Sequence, residues 1–323
     1  MPNASVPARQ PRFLQLHHDD PAAARAELLG GLTAPAAFTS PKFLYDRLGS
    51  KLFEAITALP EYYPTRTEAA IFAAEAAEMA AAIGPIGSLI DLGAGNCEKA
   101  SALFETLQPR RYVAVDISVD FLREALGRIA REHPQIEMAG IGLDFSAGLQ
   151  VPREMLGGRP IFFYPGSSIG NFTPEHALRF LRGLRDQAGD GGLLIGVDLV
   201  KAASILEPAY DDALGVTAAF NLNMLLHLNR QIGSDFRPQD WRHIGIYNAG
   251  QSRIEMHLEA RQPLSVTWPG GARQFAAGER IHTENSYKYT VPNFRQLLAN
   301  AGFSAGRHWT DDRDQFAVFW APY

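Results

Sequence analysis

The run Ser88-Leu-Ile-Asp-Leu-Gly-Ala-Gly-Asn-Cys-Glu-Lys99 stops an apolar stretch on Asp91 and turns the chain through Gly93 and Gly95. Glycines at such a turn let the backbone bend tightly and approach a ligand with no Cβ in the way, and a helix opening near Cys97 aims unbonded N–H groups at it. That is the chemistry of nucleotide-cofactor binding. A dinucleotide fingerprint would place its third glycine at 98, where this chain has Glu98. A carboxylate at a helix start repels a pyrophosphate, so the cofactor expected is one that lacks phosphates, S-adenosylmethionine, and not NAD or FAD. Asp116 closes the stretch Arg111-Tyr-Val-Ala-Val-Asp116. It falls about 20 residues beyond the glycines, where an acid grips ribose hydroxyls.

A frame of buried strands must hold these residues. Continuous apolar runs predict strands at Ser88 to Leu92, Arg111 to Ile117, Ile136 to Leu143, Pro160 to Tyr164 and Gly192 to Leu199, with helical patterns between them. Parallel strands buried on both faces read in this way, so the fold class expected is α/β. Asp144 ends the third run, and Asp144-Phe145 resembles the pair that holds adenine in class I methyltransferases. One G-x-G is a weak signal, whereas acids at three successive strand ends in a single α/β pattern point to cofactor binding.

The flanking segments read differently. Residues 1 to about 64 begin with a polar, proline-bearing tail without a Rossmann strand. An Ala-rich helix follows near Pro21 to Leu29, ended by Gly30-Gly31, and then an aromatic segment from Phe43 to Tyr63. Pro64 opens a further helix to Ile83. A long helical region from Ala202 to about Arg230 precedes strand-like pieces such as Arg253 to Glu259, whose alternation predicts one exposed face. A last helix near Val291 to Ala301 and a strand from Gln315 to Trp320 return to the α/β pattern. The organisation expected is a first domain of residues 65–200 and 289–323, with a second of residues 1–64 and 201–288.

Composition narrows the partners. The 323 residues carry a formal net charge of -5 with acids and bases mixed along the chain, so nucleic acid is not the expected partner and a small molecule is. With Cys97 as the only cysteine, no intramolecular disulfide or cysteine-based zinc site can form, which fits a cytoplasmic setting. The nine histidines are scattered without zinc-helix spacing, and no metal is expected. The longest apolar stretch, Gly191 to Val200, is broken by Asp198, and no membrane span or secretory leader is expected. A monomer is expected.

Four strings go beyond general fold signals: Tyr45-Asp-Arg-Leu-Gly-Ser50, Leu59-Pro-Glu-Tyr-Tyr-Pro-Thr-Arg-Thr-Glu68, Phe163-Tyr-Pro-Gly-Ser-Ser-Ile-Gly-Asn-Phe172 and His282-Thr-Glu-Asn-Ser-Tyr-Lys-Tyr289. From about Pro41 to the C-terminus the chain resembles the L-histidine N-alpha-methyltransferase family of ergothioneine biosynthesis. The resemblance implies a Rossmann-like class I methyltransferase domain interrupted by a mixed α+β substrate-binding domain. It also implies successive methyl transfers from S-adenosylmethionine to the α-amino group of histidine, ending at the trimethylated betaine hercynine. Carried onto this sequence, it makes Gly93, Lys99, Asp116, Asp144 and Phe145 cofactor residues. Tyr45, Tyr62, Asn171, Tyr210, Met256, Glu284 and Ser286 become substrate residues, with Tyr45 and Asn171 serving the transfer itself.

The chemistry asks for such residues. Methyl transfer to an amine is an in-line displacement by a neutral nitrogen held about 3 Å from the methyl group, and it requires neither a metal nor a covalent intermediate. Asn171 offers a donor and an acceptor after the fourth strand, and Tyr210, on a helical segment, can donate its hydroxyl to a carboxylate. Glu284 and Ser286 alternate along a strand and so face one side, where a polar pair can select an imidazole. Tyr45 and Tyr62 are candidates for orienting the amine, and ring faces stabilise a quaternary ammonium. Phe43 and Phe53 are read as core, and Cys97 as a small packing residue. Another amino acid or small amine as acceptor stays open, as do a non-catalytic cofactor-binding module and, most weakly, a nicotinamide oxidoreductase.

Overall fold

A computed structural model describes residues 10–16, 20–117, 119–144 and 148–323. The strands, in chain order, are β1 (Arg12–Gln15), β2 (Ala37–Phe38), β3 (Ser88–Leu92), β4 (Arg111–Asp116), β5 (Glu137–Gly142), β6 (Pro160–Tyr164) and β7 (Gly192–Asp198). They continue with β8 (Trp241–Asn248), β9 (Arg253–Ala260), β10 (Leu264–Trp268), β11 (Gly271–Phe275), β12 (Arg280–Tyr287), β13 (Arg307–Thr310) and β14 (Phe316–Pro322). The chain forms two compact units. The first holds the described residues up to 16 with 66–199 and 289–323, and the second holds 20–65 and 200–288.

The first unit is built on an eight-stranded sheet of order β1-β5-β4-β3-β6-β7-β14-β13. Pairing is parallel from β1 to β7 and antiparallel at β14 and β13. Successive side chains of a strand point to opposite faces. Accordingly Leu89, Tyr112, Phe163 and Leu194 enter one core with Ile71 and Met79 of the helix Tyr63–Ile83 and Leu122 and Leu126 of the helix Val119–Glu132. Ile90, Val113, Phe162 and Ile195 enter another, with Phe180 and Leu184 of Pro174–Ala188 and Phe294 and Leu298 of Val291–Ala301. Strands covered on both faces have no polar side to show, which is why they read as unbroken apolar runs. Order reverses at β3: the chain steps outward through β4 and β5, then returns to the other side of β3 with β6 and β7. Ligands of open α/β sheets bind at the carboxyl ends of the strands at such a switch point. The α/β class expected from the sequence is the class observed.

The second unit has a four-stranded sheet of order β2-β12-β9-β8 and a separate β10-β11 ribbon. Its helices Pro21–Thr33, Arg47–Thr57 and Val216–Ile232 share one core with the sheet, including Leu28, Ile56, Phe220, Met224, Trp241, Met256 and Ile281. Along β9 burial alternates strictly between buried and half-buried, the mark of a sheet covered on one face.

Four expectations from the sequence are corrected. Residues 12–15 do form a strand: β1 pairs in parallel with β5, so this part of the N-terminal segment joins the first unit and not the second. With only Phe13 and Leu14 apolar, each half-buried against an opposite core, the strand is too short to carry a period. The first helix does not stop at Gly30-Gly31 but continues to Thr33. A Cβ on Gly31 would lie 2.3 Å from the Phe38 carbonyl oxygen, so that glycine serves the approach of β2 and not a helix end. The long helix after Ala202 is two pieces, Ala203–Leu206 and Val216–Ile232. Asp212 starts the second piece by accepting from the N–H groups of Val216 and Thr217, at 3.0 and 2.7 Å. Tyr210 consequently lies in the turn between them and not on a helix.

Candidate active site

In the first unit the loop after β3 is shaped by its backbone. Gly93, Gly95 and Cys97 all take positive φ, at 72°, 52° and 62°, a region that L side chains resist. A side chain on Gly95 would meet no atom within 4 Å, so the glycine keeps open space over the strand end. The Gly95 N–H donates to Asp116 Oδ2 at 3.0 Å, tying this loop to the end of β4. The helix that follows, Glu98–Ser101, is a single turn. Glu98 is exposed and pairs with Arg128 at 3.3 Å.

Beneath the loop lies a buried polar layer. Asp91 is 1% exposed; its Oδ2 accepts the Tyr112 hydroxyl at 2.7 Å while its buried Oδ1 meets no protein donor. Burial pushes the Asp91 carboxyl up to about 7, against the Tyr112 hydrogen bond and the Lys99 charge. The Cys97 thiol is fully buried and pushed up to about 12, first by burial and then by the Asp91 charge, which removes it as a nucleophile. Lys99 reaches across to Glu68, Nζ to Oε2 at 2.6 Å, and the other Glu68 oxygen accepts the Gly166 N–H at 2.7 Å. Glu68, wholly buried, thereby links Lys99 to the turn after β6. From the sequence alone Glu68 carries no role of its own. Its signal is that it ends the string beginning at Leu59. Asn171 closes the short 3-10 segment Ser168–Asn171 after β6, also at the carboxyl side of the sheet. Asp144 follows β5, and Phe145 lies outside the described residues.

An open glycine loop, an acid at the next strand end and a buried carboxyl oxygen left without a protein donor fit a small polar cofactor. Gly93, Lys99, Asp116 and Asp144 all lie in this unit.

In the second unit the expected substrate residues come together on β12, β9 and an aromatic group. The register of β12 against β9 shifts between His282 and Glu284, so Thr283 is an extra residue. Such a bulge changes which side chains face inward, and here it leaves Glu284, Ser286 and Lys288 all buried. β12 pairs with β9 along its length and with β2 only at Ile281 and His282, and it is burial that keeps Glu284 and Ser286 from being an exposed polar edge. Met256 stands opposite Glu284. Burial pushes the Glu284 carboxyl up to about 7, with the Lys288 charge acting the other way.

Tyr210 joins this strand to the aromatic group. Its hydroxyl is 2.8 Å from Ser286 Oγ, and Lys288 Nζ lies 2.8 Å from the Tyr210 oxygen and 2.9 Å from that of Ser286. The Tyr210 carbonyl is 2.8 Å from His243 Nε2, and His243 Nδ1 is 2.9 Å from the Asn221 amide. Burial holds the His243 ring below its ordinary value, so it is neutral: Nε2–H donates to the carbonyl and Nδ1 accepts. Ring contacts then run from Tyr210 to Tyr62 at 6.1 Å, from Tyr62 to Phe53 at 6.1 Å and from Phe53 to Tyr45 at 5.6 Å. Phe53, read as core, is half-buried at the centre of this group. Phe43 is core, packed edge-on against His227. Six expected substrate residues are thus gathered in the second unit, and Asn171 belongs to the first. Lys288 was not singled out from the sequence, where a lysine between two tyrosines reads as a strand end.

Among the described residues no group of three or more His, Cys, Asp or Glu side chains is arranged to hold a metal ion. No helix among them is long and apolar enough to cross a membrane.

Comparison with known proteins places this arrangement. A family profile described as histidine-specific methyltransferase, SAM-dependent, matches residues 24–322. Histidine N-alpha-methyltransferase of Mycolicibacterium smegmatis is 41% identical over 92% of this chain and 94% of that protein. The protein of the same name from Mycobacterium tuberculosis is 40% identical over 92% of this chain and 94% of its own. Ergothioneine biosynthesis protein 1 of Neurospora crassa is 34% identical over 83% of this chain and 31% of its own length. The chain belongs to the family of histidine-specific, S-adenosylmethionine-dependent methyltransferases.

Proposed function

We propose that this protein methylates the α-amino group of L-histidine with S-adenosylmethionine, in successive steps to the trimethylated betaine hercynine, as a step of ergothioneine biosynthesis. The observation that carries the choice of acceptor is the buried pair Glu284 and Ser286 on one face of β12, in a chain 41% identical to a histidine N-alpha-methyltransferase. A buried carboxylate left without a ring N–H is costly, so such a pair rejects apolar amino acids more strongly than a hydrophobic pocket can.

Gly93, Lys99, Asp116 and Asp144 are the residues we assign to the cofactor, with Phe145 assigned on the family resemblance alone. Bound S-adenosylmethionine supplies an electrophilic methyl group. The protein's part is to hold the acceptor. We assign Asn171 to the amino-acid backbone of the acceptor, Glu284 and Ser286 to its ring, and Met256 and Tyr210 to further substrate contacts. Tyr45 and Tyr62 hold the amine through their hydroxyls while it still carries N–H, and their ring faces stabilise the ammonium as methyl groups accumulate, by about 0.5–2 kcal/mol each. The amine must be neutral to attack, and water can carry its proton away.

Two variants test the assignment. Glu284→Ala is expected to erase the preference for histidine over other amino acids, and Asn171→Ala to lower kcat/KM for every α-amino acid by about 10–100-fold. Unchanged histidine turnover in both would sink this assignment.

A further inference from the structure

Lys288, Tyr210 and Ser286 form a closed triangle of hydrogen-bonding atoms, with sides of 2.8, 2.9 and 2.8 Å, buried in the second unit. A lysine ammonium has three donors and no acceptor, so both hydroxyl oxygens must accept from it. Its nitrogen stands 4.6 Å from the centre of the Tyr210 ring, a distance that its hydrogen bond to the phenol oxygen already entails. The third side of the triangle uses one hydroxyl hydrogen, and one other remains to leave it. A phenol is the more acidic group and the better donor, while an alcohol oxygen is the better acceptor. The internal bond therefore runs from Tyr210 to Ser286, and the outgoing hydrogen belongs to Ser286.

We propose that Lys288 is a positioning residue that makes the Ser286 hydroxyl a donor, so that beside the Glu284 acceptor the pocket reads a neutral ring with one N–H and one bare nitrogen. This rests on the reading of Glu284 and Ser286 as the pair that receives the acceptor's ring. Without the ammonium, Ser286 is released to accept as well as donate. Two acceptors side by side suit a ring with two N–H groups, not a neutral imidazole.

A double-mutant cycle on the full chain tests this, with binding of S-adenosylhomocysteine as the measure of intact folding. Lys288→Met should raise the KM for L-histidine about tenfold while kcat stays within about threefold, the size of one well-placed hydrogen bond. In a Ser286→Ala background the same change should add less than about twofold, because the hydroxyl whose donor role the lysine fixes is then gone, although Tyr210 still accepts from the ammonium. Equal effects in both backgrounds, or an unchanged KM, would overturn the proposal. An unchanged KM in Ser286→Ala alone would overturn the underlying site reading instead. The unmodified enzyme gives a second measurement that does not depend on a variant folding. β-(Pyrrol-2-yl)-L-alanine and β-(pyrrol-3-yl)-L-alanine keep a ring N–H and delete the bare nitrogen. Both should show a KM at least about tenfold above that of histidine, and a KM equal to or below histidine's for either would overturn the proposal.

Discussion

On the assignment proposed above, the first unit offers its ligand backbone, in a loop whose Gly93, Gly95 and Cys97 sit at positive φ and whose Gly95 N–H is tied to Asp116, whereas the second offers side chains buried on a bulged strand. A glycine loop after a parallel strand suits any ligand of nucleotide shape and costs the fold little, because the glycines adopt that geometry readily. Glu284 and Ser286 suit few ligands and cost more, since a carboxyl pushed up to about 7 is held out of water against its preference. In the proposed reading, the general half of the recognition is set by chain geometry, and the specific half by desolvated polar groups.

The largest effect that separates the two halves is expected at Asp116. Asp116→Ala removes the strand-end carboxylate and the anchor of the glycine loop, so the Kd for S-adenosylmethionine should rise about 10–100-fold. The KM for histidine should stay within about twofold. Isothermal titration beside steady-state kinetics checks this, and a matching loss of histidine affinity would break the division.

A smaller effect is expected in stability at Glu284. Between pH 4.5 and about 7 the unfolded chain has released this proton while the folded chain still keeps it. Stability therefore falls as pH rises through that window, and the full penalty stands above it. Glu284→Gln should raise Tm at pH 8 by at least about 2 °C and by less at pH 4.5, measured by thermal unfolding. An equal shift at both pH values would show that burial of the charge is not the cost.

The smallest effect is expected at His257, on the other face of the same sheet. Burial, with the neighbouring His282 charge, lowers its ring from 6.5 to about 4. The unfolded chain takes up this proton below 6.5 and the folded chain only near 4, so the wild type loses stability as pH falls through that range. The Tm difference between wild type and His257→Gln should therefore move against the wild type from pH 7.5 to pH 5. A constant difference would contradict the burial of that ring.

The same contrast explains what could be read from the sequence. The strands β3, β4, β6 and β7 announce themselves because both faces are covered, and the loop at Gly93 and Gly95 because two glycines just past an apolar run mark a tight turn at a strand end. Strand β1 was not legible, with two apolar residues in four, and neither was the break between Leu206 and Val216, where Asp212 accepts the first N–H groups of the second helix. In the second unit the periodicity of 280–287 conceals the bulge at Thr283, and nothing local tells that Lys288 is buried. Glu284 and Ser286 were found by family resemblance, since a carboxylate on a strand is usually solvated. Glu68 was missed for the same reason: its partners Lys99 and Gly166 are distant in sequence and meet only in the fold.

The most direct test of histidine as the acceptor is mass spectrometry of the purified protein incubated with S-adenosylmethionine and a mixture of the twenty amino acids. Histidine carrying one, two and finally three added methyl groups, as the dominant product, is the predicted result. Methylation of a different amino acid in preference to histidine would contradict the role given to Glu284 and Ser286, and no methylated product despite measurable cofactor binding would contradict the enzyme itself.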